Sequence, residues 1–547
     1  MSGPGRGGRL PRPLSGMAMV AFALKMQSIA NCAGLTQNAD GHAVNGMGPS
    51  RRPGLHPSTM TSIPSTSEDF WRPALHFTAE RFWINDPNGL VFACGQWHLF
   101  FQHNPQGNTW GHMSWGHAVS RDLLHWRHLP LAIAEDPTHM AFSGSVVIDD
   151  KGTSGLGDGG QAPLVAIYTA CAQPPARHQA QHLAFSNDGG TRWTKYAGNP
   201  VLDIGAENFR DPKVFWHGPS GRWVMAVVLA HGRIVSFYAS ADLKHWSHLS
   251  DFGPEGGVQG IWECPDLISV PVKDHAGRRA WVLKVDVFEG HPSGGSGAQV
   301  FIGDFDGQSF QSTQPARWID HGSDFYAAIS WAHVPAEDGR SVWLGWMNNH
   351  RYAAATPTLS WCGAMSIPRV LHVRDDGAAL LLCQEPVSEL QAARREQRRC
   401  GPLGLGAGGA DEVVGLGAGD VLDLDIVWRP GTAREFGLLL RCGGEQATRV
   451  GWDAERRALF VDRRQSGPGP DDPVFRSPQY APLAPQADGS VRWRLLLDRC
   501  SVEVFADGGA VVLTNLIFPS PGSRELKAFV SGGAAELVTM ECWTLEA

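Results

Sequence analysis

The sequence contains no run of about 18 consecutive apolar residues, the length that a membrane-spanning helix requires. Charged residues are also few, at 18% of 547 residues, and the formal net charge is −8. Proteins that bind nucleic acids or anionic membranes normally present a positive surface. We therefore expect neither a nucleic acid nor a membrane as a partner.

The cysteines lack the spacing of metal or disulfide motifs. There are 10 of them, scattered singly, with no Cys-x-x-Cys pair. Zinc sites usually draw on such closely spaced ligands. We expect buried free thiols, no metal and no cofactor. The Gly-rich stretches 152–160 and 293–297 are not followed by Lys-Ser/Thr, which argues against a phosphate-binding loop.

Glycine, proline and tryptophan are abundant instead, with 65, 37 and 21 residues. Much glycine and proline is typical of a loop-rich β protein. Tryptophan rings suit sugar binding because they stack on sugar faces, although core packing accounts for most of them. At 547 residues the chain is too long for one ordinary domain, so we expect two.

The first 66 residues are rich in Gly, Pro, Ser, Thr and Asn and show no periodicity. Three arginines precede the apolar patch 17–24, as in a short signal peptide, but Lys25 interrupts the pattern. A start codon assigned too far upstream, followed by disordered residues, is an equal alternative. We expect segment 1–66 to be disordered or signal-like. The signal-like reading weakly favours a secreted or periplasmic location over a cytoplasmic one.

A repeated pattern organises the next part of the chain. SRDLLHWRHL (120–129) returns as SADLKHWSHL (240–249), with looser copies at 186–196 and 303–313. The spacing of roughly 55 to 65 residues fits one four-stranded propeller blade with generous loops. Each copy would join the outer strands of a blade. We therefore predict an all-β fold in which residues 67–385 form a five-bladed β-propeller.

A composition change marks a second domain. Residues 384–399 resemble a short linking helix, and a Gly-rich run follows at 401–419. Beyond it, runs such as VLDLDIVW and CSVEVFADGG alternate apolar and polar residues, as half-buried antiparallel strands do. We predict a linker at 386–410 and a supporting β-sandwich at 411–547.

Three acidic residues share one local context. FWINDPNGLVF, FRDPKVFW and WECPDLI each place an aromatic residue before an acid, a proline after it and then an apolar run. Because a residue before proline favours extended backbone, Asp86 and Asp211 should lie at strand starts. In a propeller these strands would be the innermost ones, and Asp86, Asp211 and Glu263 would meet at one end of the channel. Such like charges raise each other's pKa, and glycoside hydrolysis needs one acid charged and another protonated.

The motifs resemble those of glycoside hydrolase family 32, the β-fructofuranosidases. WINDPNG, FRDPKVF and WECPDL carry the resemblance, and HLFFQHNP, FSGS, DFYAA and MSIPR extend it. The similarity runs from Pro73 to the C-terminus. Ile84 stands where the family usually has Met, and His103 where Tyr is common.

The resemblance implies a role for each acid. Asp86 would be the nucleophile, Glu263 the acid/base, and Asp211 a residue that stabilises the transition state together with Arg210. Arg210 would also keep Asp211 ionised and leave Glu263 easier to protonate. For Asp324, capping a strand start and binding a hydroxyl group both fit the sequence. The residues that would line the sugar pocket are Asn85, Gln102, Trp110, Phe142, Ser143, Arg210, Asp324 and Trp346.

The implied activity is release of terminal β-fructofuranosyl units from levan, inulin or sucrose through a covalent intermediate. A fructosyltransferase that uses the same intermediate is the main alternative, because water and sugar compete for one fructosyl-enzyme. An inverting arabinan- or xylan-cleaving propeller enzyme and a non-catalytic carbohydrate-binding propeller are weaker alternatives. The first would lack the WINDPNG and WECPDL contexts, and the second would have lost a catalytic acid. The sequence does not indicate an oligomeric state.

Overall fold

The computed structural model describes residues 70–546, so the predicted signal-like segment lies outside the described residues. The described chain is almost entirely β-structure, and its one α-helix, α1, spans only Leu390–Ala393. None of its helices is long and apolar enough to cross a membrane. The nine cysteines between 70 and 546 are free thiols, and seven of them are buried, as expected.

Three sheets follow one another along the first part of the chain, each built on four consecutive antiparallel strands. In each sheet the strands pair in chain order. The strands are β1 (Phe82–Ala93), β2 (Gln96–Asn104), β3 (Ser114–Ser120) and β4 (Trp126–Ile133); β5 (His139–Ile148), β6 (Leu164–Ala172), β7 (Gln179–Ser186) and β8 (Thr194–Lys195); and β9 (Phe209–His217), β10 (Arg222–Leu229), β11 (Ile234–Ser240) and β12 (Ser247–Phe252).

Two further sheets complete a set of five. Their strands are β13 (Trp262–Pro271), β14 (Arg279–Val287), β15 (Gly297–Phe305), β16 (Phe310–Ser312) and β17 (Arg317–Trp318); and β18 (Tyr326–Ser330), β19 (Ser341–Met347), β21 (Ala364–Met365), β22 (Arg369–Asp375) and β23 (Leu380–Pro386). The two-residue strand β20 (Trp361–Cys362) lies between β19 and β21 in the chain but belongs to the first sheet, where it pairs in parallel with β1. The five-bladed propeller prediction is confirmed.

The repeated sequence pattern also lies where it was predicted, between the third and fourth strands of a blade. In the first blade the Asp122 carboxylate accepts hydrogen bonds from the backbone N–H groups of Leu124 and His125. In the third blade Asp242 does the same for Lys244 and His245. The repeat is therefore a turn that an aspartate side chain closes.

Two packed sheets form the C-terminal β-sandwich. Apolar side chains from both sheets, such as Leu424, Trp428, Phe436 and Val450, fill the space between them. One sheet has the order β24-β36-β27-β32-β33-β34, with β25 beside β36, and the other has the order β26-β35-β28-β29-β30-β31. The strands are β24 (Arg394–Cys400), β25 (Leu403–Leu405), β26 (Glu412–Ala418), β27 (Leu422–Pro430), β28 (Glu435–Gly443), β29 (Gln446–Asp453), β30 (Ala458–Gln465), β31 (Gln479–Pro482), β32 (Val491–Asp498), β33 (Ser501–Ala506), β34 (Val511–Leu516), β35 (Glu525–Ser531) and β36 (Ala535–Leu545).

The predicted linking helix at 384–399 is wrong. Strand β23 continues to Pro386, α1 is a single turn, and β24 already begins at Arg394. The segment pairs with β36, and the Arg394 guanidinium donates to the Asp423 carboxylate at 2.8 Å. Tertiary pairing of this kind overrides a local helix preference.

A buried charge network joins the propeller to the sandwich. The imidazole of His76 lies 2.8 Å from Asp498 and 2.7 Å from Glu503, and Arg369 donates to the other Glu503 oxygen. Burial opposes the charge on His76, but its two acidic partners raise its pKa to about 9. Despite burial, hydrogen bonds and the charge of His76 lower the pKa of Asp498 to about 2, and Arg369 and His76 do the same for Glu503.

This network predicts how domain stability depends on pH. A His pKa that is raised on folding stabilises the folded state below the unfolded-state pKa of about 6.5, and that contribution is lost as the pH rises through about 9. His76→Gln should therefore lower the free energy of unfolding by about 3 kcal/mol near pH 6 and by much less at pH 10. Calorimetric melting temperatures at both pH values measure the difference.

The exposed His275 offers a matched control, because His275→Gln removes an imidazole that lies outside the network. This variant should melt like the wild type at both pH values. An equal loss of stability for His76→Gln at pH 6 and at pH 10 would contradict the role of its charge.

Candidate active site

Each innermost strand of the propeller contains one extra residue near its start. In β1 the three steps from Ile84 to Pro87 face only two on β2, which defines a β-bulge. The same irregularity occurs in the other four blades. The bulged segments are 84–87, 141–144, 210–213, 263–266 and 326–329.

The bulges decide the backbone conformation at the site. Asp211, Cys264 and Ala327 have φ values of +65°, +46° and +54°, which non-glycine residues seldom adopt. Asp211 lies near the start of β9, as predicted, but its backbone is left-handed rather than extended before Pro212. The backbone N–H of Asp211 donates to the Thr169 hydroxyl at 2.9 Å, which helps to hold the unusual conformation. Backbone strain of this kind is commonly found at functional sites.

The three predicted acids meet at this level of the channel. The backbone N–H of Cys264 donates to Asp211 Oδ2 at 2.9 Å, and the Cys264 thiol lies 3.3 Å from Asp86 Oδ2. Glu263 directly precedes this cysteine. One residue of β13 thus contacts carboxylates from β1 and β9 and places the third acid beside them.

Hydrogen bonds orient both oxygens of Asp86. The Asn85 amide donates to Oδ1 at 3.0 Å, and the Ser143 hydroxyl donates to Oδ2 at 2.6 Å. The Trp83 indole N–H in turn donates to the Asn85 carbonyl oxygen at 2.8 Å, which fixes the amide. The sequence predicted Asn85 and Ser143 as pocket residues, and both touch the Asp86 carboxylate.

Glu263 is held by a cation and a phenol. Arg210 donates to Oε1 through Nε at 3.1 Å and through a terminal nitrogen at 2.8 Å. The Tyr326 hydroxyl donates to Oε2 at 2.6 Å. Burial alone would raise the pKa of Glu263, but the Arg210 charge and the Tyr326 hydrogen bond hold it below its usual value.

The surroundings of Asp211 shift its pKa in the opposite direction from that of Glu263. Its carboxylate stays 3.9 Å from the Arg210 guanidinium. Burial, reinforced by the charges of Glu263 and Asp86, raises the pKa of Asp211 to about 7. The prediction that Arg210 keeps Asp211 ionised and leaves Glu263 easier to protonate is therefore wrong for the site without sugar. Arg210 pairs with Glu263 instead, and Asp211 binds a proton more tightly than Glu263 does.

Three other predicted pocket residues lie around this cluster. The Gln102 side chain is buried and donates to the Ala141 carbonyl at 3.1 Å. Phe142 belongs to the bulge of the second blade, and Trp110 meets it edge to face with 5.8 Å between ring centroids. Trp110 is 49% exposed, so its ring is free to stack on a ligand.

Asp324 and Trp346 are fully buried. The Asp324 carboxylate accepts hydrogen bonds from Tyr352 at 2.6 Å and from the sandwich residue Arg463 at 2.5 Å. These contacts belong to the interface between the two domains, two residues before Tyr326. Trp346 packs on Trp83 with a centroid distance of 5.9 Å, and its indole N–H has no partner among the described residues.

Sequence reasoning missed Tyr326, Cys264 and His350. Tyr326 occupies in the fifth blade the bulge position that Glu263 occupies in the fourth. Aligning the blade starts would have identified it. Cys264 lies inside a quoted motif, but nothing in its residue type indicates contact with two carboxylates. Between residues 70 and 546, no group of three or more His, Cys, Asp or Glu side chains is placed to hold a metal ion.

Comparisons with known proteins cover both domains. The family model described as "Glycosyl hydrolases family 32 N-terminal domain" matches residues 76–386, and the model "Glycosyl hydrolases family 32 C terminal" matches residues 391–544. A levanase from Bacillus subtilis (strain 168) is 44% identical over 481 residues, which cover 86% of this chain and 70% of the levanase. An extracellular exo-inulinase from Aspergillus awamori is 37% identical over 514 residues, which cover 87% of this chain and 94% of the inulinase.

Solved structures agree with this assignment. The crystal structure of exo-inulinase from Aspergillus awamori superposes with a TM-score of 0.81 at 36% identity and covers 87% of this chain and 98% of that one. The β-fructofuranosidase from Schwanniomyces occidentalis, complexed with fructosyl-erythritol, gives a TM-score of 0.81 at 30% identity, with 89% and 100% covered. The matching family models and the similar relatives show that the present chain belongs to glycosyl hydrolase family 32.

Proposed function

We propose that this protein is a retaining glycosidase that releases terminal fructosyl units from fructans such as levan and inulin, and from sucrose. One observation carries the proposal: in a family 32 chain, β1, β9 and β13 bring Asp86, Asp211 and Glu263 into one buried cluster around Cys264. Two carboxylates with different partners suit a double displacement at an anomeric carbon. The levanase and exo-inulinase relatives support fructans as the substrate class.

Asp86 acts as the nucleophile in this mechanism. An Asp86 oxygen bonds to the anomeric carbon while the bond from that carbon to the glycosidic oxygen breaks. The hydrogen bonds from Asn85 and Ser143 hold both carboxylate oxygens in place, so little reorientation is needed.

Glu263 transfers the protons. As an acid it protonates the departing glycosidic oxygen, and as a base it then removes a proton from the water that displaces Asp86. The lowered pKa in the sugar-free site suits the second step. The first step requires a proton on Glu263, and the raised pKa of Asp211 supplies the cluster with one near neutral pH. We infer that this proton resides on Glu263 once sugar hydroxyls form hydrogen bonds with Asp211 and Arg210.

Asp211 and Arg210 bind and stabilise rather than react. Positive charge develops on the sugar ring in the transition state, and the Asp211 carboxylate stabilises it. Gln102, Phe142 and Trp110 would complete the pocket, with the exposed Trp110 ring at its rim. The exo-inulinase relative supports removal of one terminal unit at a time.

A location outside the cytoplasm is consistent with this function, because fructans are large polymers. The Aspergillus awamori relative is named as extracellular. We therefore keep the secreted or periplasmic location that the sequence favours.

The assignment of the acids predicts their mutant phenotypes. Asp86→Asn and Glu263→Gln should each lower kcat for fructose release from levan by at least ~1000-fold, because each removes a group that reacts in the transition state. Glu337→Gln is the matched control: Glu337 is exposed on the turn after β18, at the opposite strand end from Tyr326, and the variant should keep wild-type kcat.

Wild-type rates in either acid variant would overturn the assignment. Capture by methanol checks the stereochemistry, since a methyl fructoside does not interconvert between anomers. Retention gives the methyl β-fructofuranoside by NMR, whereas the α-anomer would show inversion.

Product analysis separates hydrolysis from transfer. With levan, inulin and sucrose offered in parallel, chromatography should show free fructose as the initial product from each fructan, because water is the group that displaces Asp86 in the proposed mechanism. Oligosaccharides or a difructose anhydride as the main products would identify a fructosyltransferase instead. Binding of fructan without any product would indicate a non-catalytic protein.

The raised pKa of Asp211 predicts the alkaline limb of activity. The cluster keeps its proton below about pH 7 and loses it above, so kcat/KM should fall as the pH rises through about 7. In Asp211→Asn the proton must bind Glu263, whose pKa lies lower. The limb should move by at least about one pH unit to the acidic side, with a lower plateau. A pH profile with an unchanged limb would contradict this role.

A further inference from the structure

His350 lies in the catalytic pocket without an assigned role. It follows β19 and stacks on Phe288 with a centroid distance of 4.5 Å and an interplanar angle of 26°. Tyr326, the phenol that binds Glu263, meets the same ring edge to face at 4.8 Å. Trp346 packs against it at 5.1 Å. Three aromatic side chains thus hold one imidazole beside the acid/base.

The ring has an unused hydrogen-bonding group. Nε2 of His350 is buried and has no partner among residues 70–546. A buried polar atom without a partner costs roughly 1–3 kcal/mol, so native structures contain few of them and they call for an explanation. A sugar hydroxyl is a group that could both donate to and accept from an imidazole.

The charges around His350 come from several blades. Glu263 on β13, Asp86 on β1 and Arg210 on β9 all act on it electrostatically. Burial nevertheless lowers the pKa of His350, so the ring is neutral near pH 7. A neutral imidazole offers one donor and one acceptor.

The backbone on either side of His350 is fixed. Its own N–H donates to the Ser296 hydroxyl at 3.2 Å. The preceding Asn349 is fully buried, and its amide donates to the Ser323 carbonyl at 2.7 Å. Two residues further on, Tyr352 donates to Asp324 at 2.6 Å and accepts from Arg463 of the sandwich at 2.8 Å. A side chain presented by such a rigid segment can select among ligands.

We propose that His350 is a substrate-contacting residue that contributes to specificity, forming a hydrogen bond to a hydroxyl group of the bound sugar next to Glu263. The inference rests on the proposed function, since it assumes that a sugar occupies this pocket. Formation of this bond would satisfy the buried nitrogen only when substrate is present.

The alternative is that His350 only fills space between Phe288 and Trp346. A phenylalanine would fill that space equally well, because it keeps a planar ring at the same position. The two explanations therefore predict different results for one substitution.

The experiment compares His350→Phe, His350→Gln and wild type with sucrose and with levan. His350→Phe keeps the ring and removes both nitrogens, whereas His350→Gln keeps an amide near the position of Nε2. We expect KM to rise about five- to tenfold in His350→Phe and kcat to change less, since one neutral hydrogen bond is lost. His350→Gln should recover at least half of the loss on a logarithmic scale. Melting temperatures measured in parallel show that both variants fold.

Two results would overturn the inference: a wild-type KM in His350→Phe, or a KM in His350→Gln that is no closer to wild type than that of His350→Phe. Failure of the proposed function looks different, because the wild-type protein itself would then release no fructose from either substrate.

Discussion

Repulsion among the buried carboxylates of Asp86, Asp211 and Glu263 is the constraint on which the rest of the site depends. Each carboxylate has its own donors: an amide and a hydroxyl for Asp86, a backbone N–H for Asp211, and a guanidinium and a phenol for Glu263. These donors belong to all five blades. The full ring is therefore needed to stabilise a charge cluster that no single blade could hold.

The unequal distribution of donors also separates the acids chemically. An amide, a hydroxyl and a thiol bind Asp86, and Arg210 is closer to Glu263 than to Asp211. Asp211 and Glu263 thus acquire different affinities for a proton, which is what acid–base chemistry in one pocket requires. The β-bulges make this arrangement possible, because an extra residue in each inner strand turns successive side chains toward the channel.

Much of this arrangement could be predicted from the sequence. The turn repeat indicates the blades, and the shared aromatic–acid–proline context identifies Asp86, Asp211 and Glu263 from the sequence alone. The partner of Arg210 could not be predicted, because a one-residue bulge decides which carboxylate its guanidinium reaches. The left-handed backbone at Asp211 contradicts the local preference before proline, since hydrogen bonds from neighbouring blades outweigh it.

The segment 384–399 shows the same limit outside the site. Its arginine- and glutamine-rich sequence suits a helix, yet its last six residues belong to β24 and pair with β36, which is more than a hundred residues away in the chain. Asp324 is a further case, because its partner Arg463 belongs to the other domain. Local patterns therefore predicted which residues carry chemistry, and long-range contacts decided how they are paired.

The parallel pairing of β20 with β1 has a consequence for the order in which the protein is made. The strand that carries Asp86 is the first described strand to be synthesised, but its parallel partner at Trp361 and Cys362 emerges nearly last in the propeller. The edge of β1 at Phe82 and Trp83 therefore stays without this strand partner until most of the propeller has been made, and contacts between such distant segments form slowly.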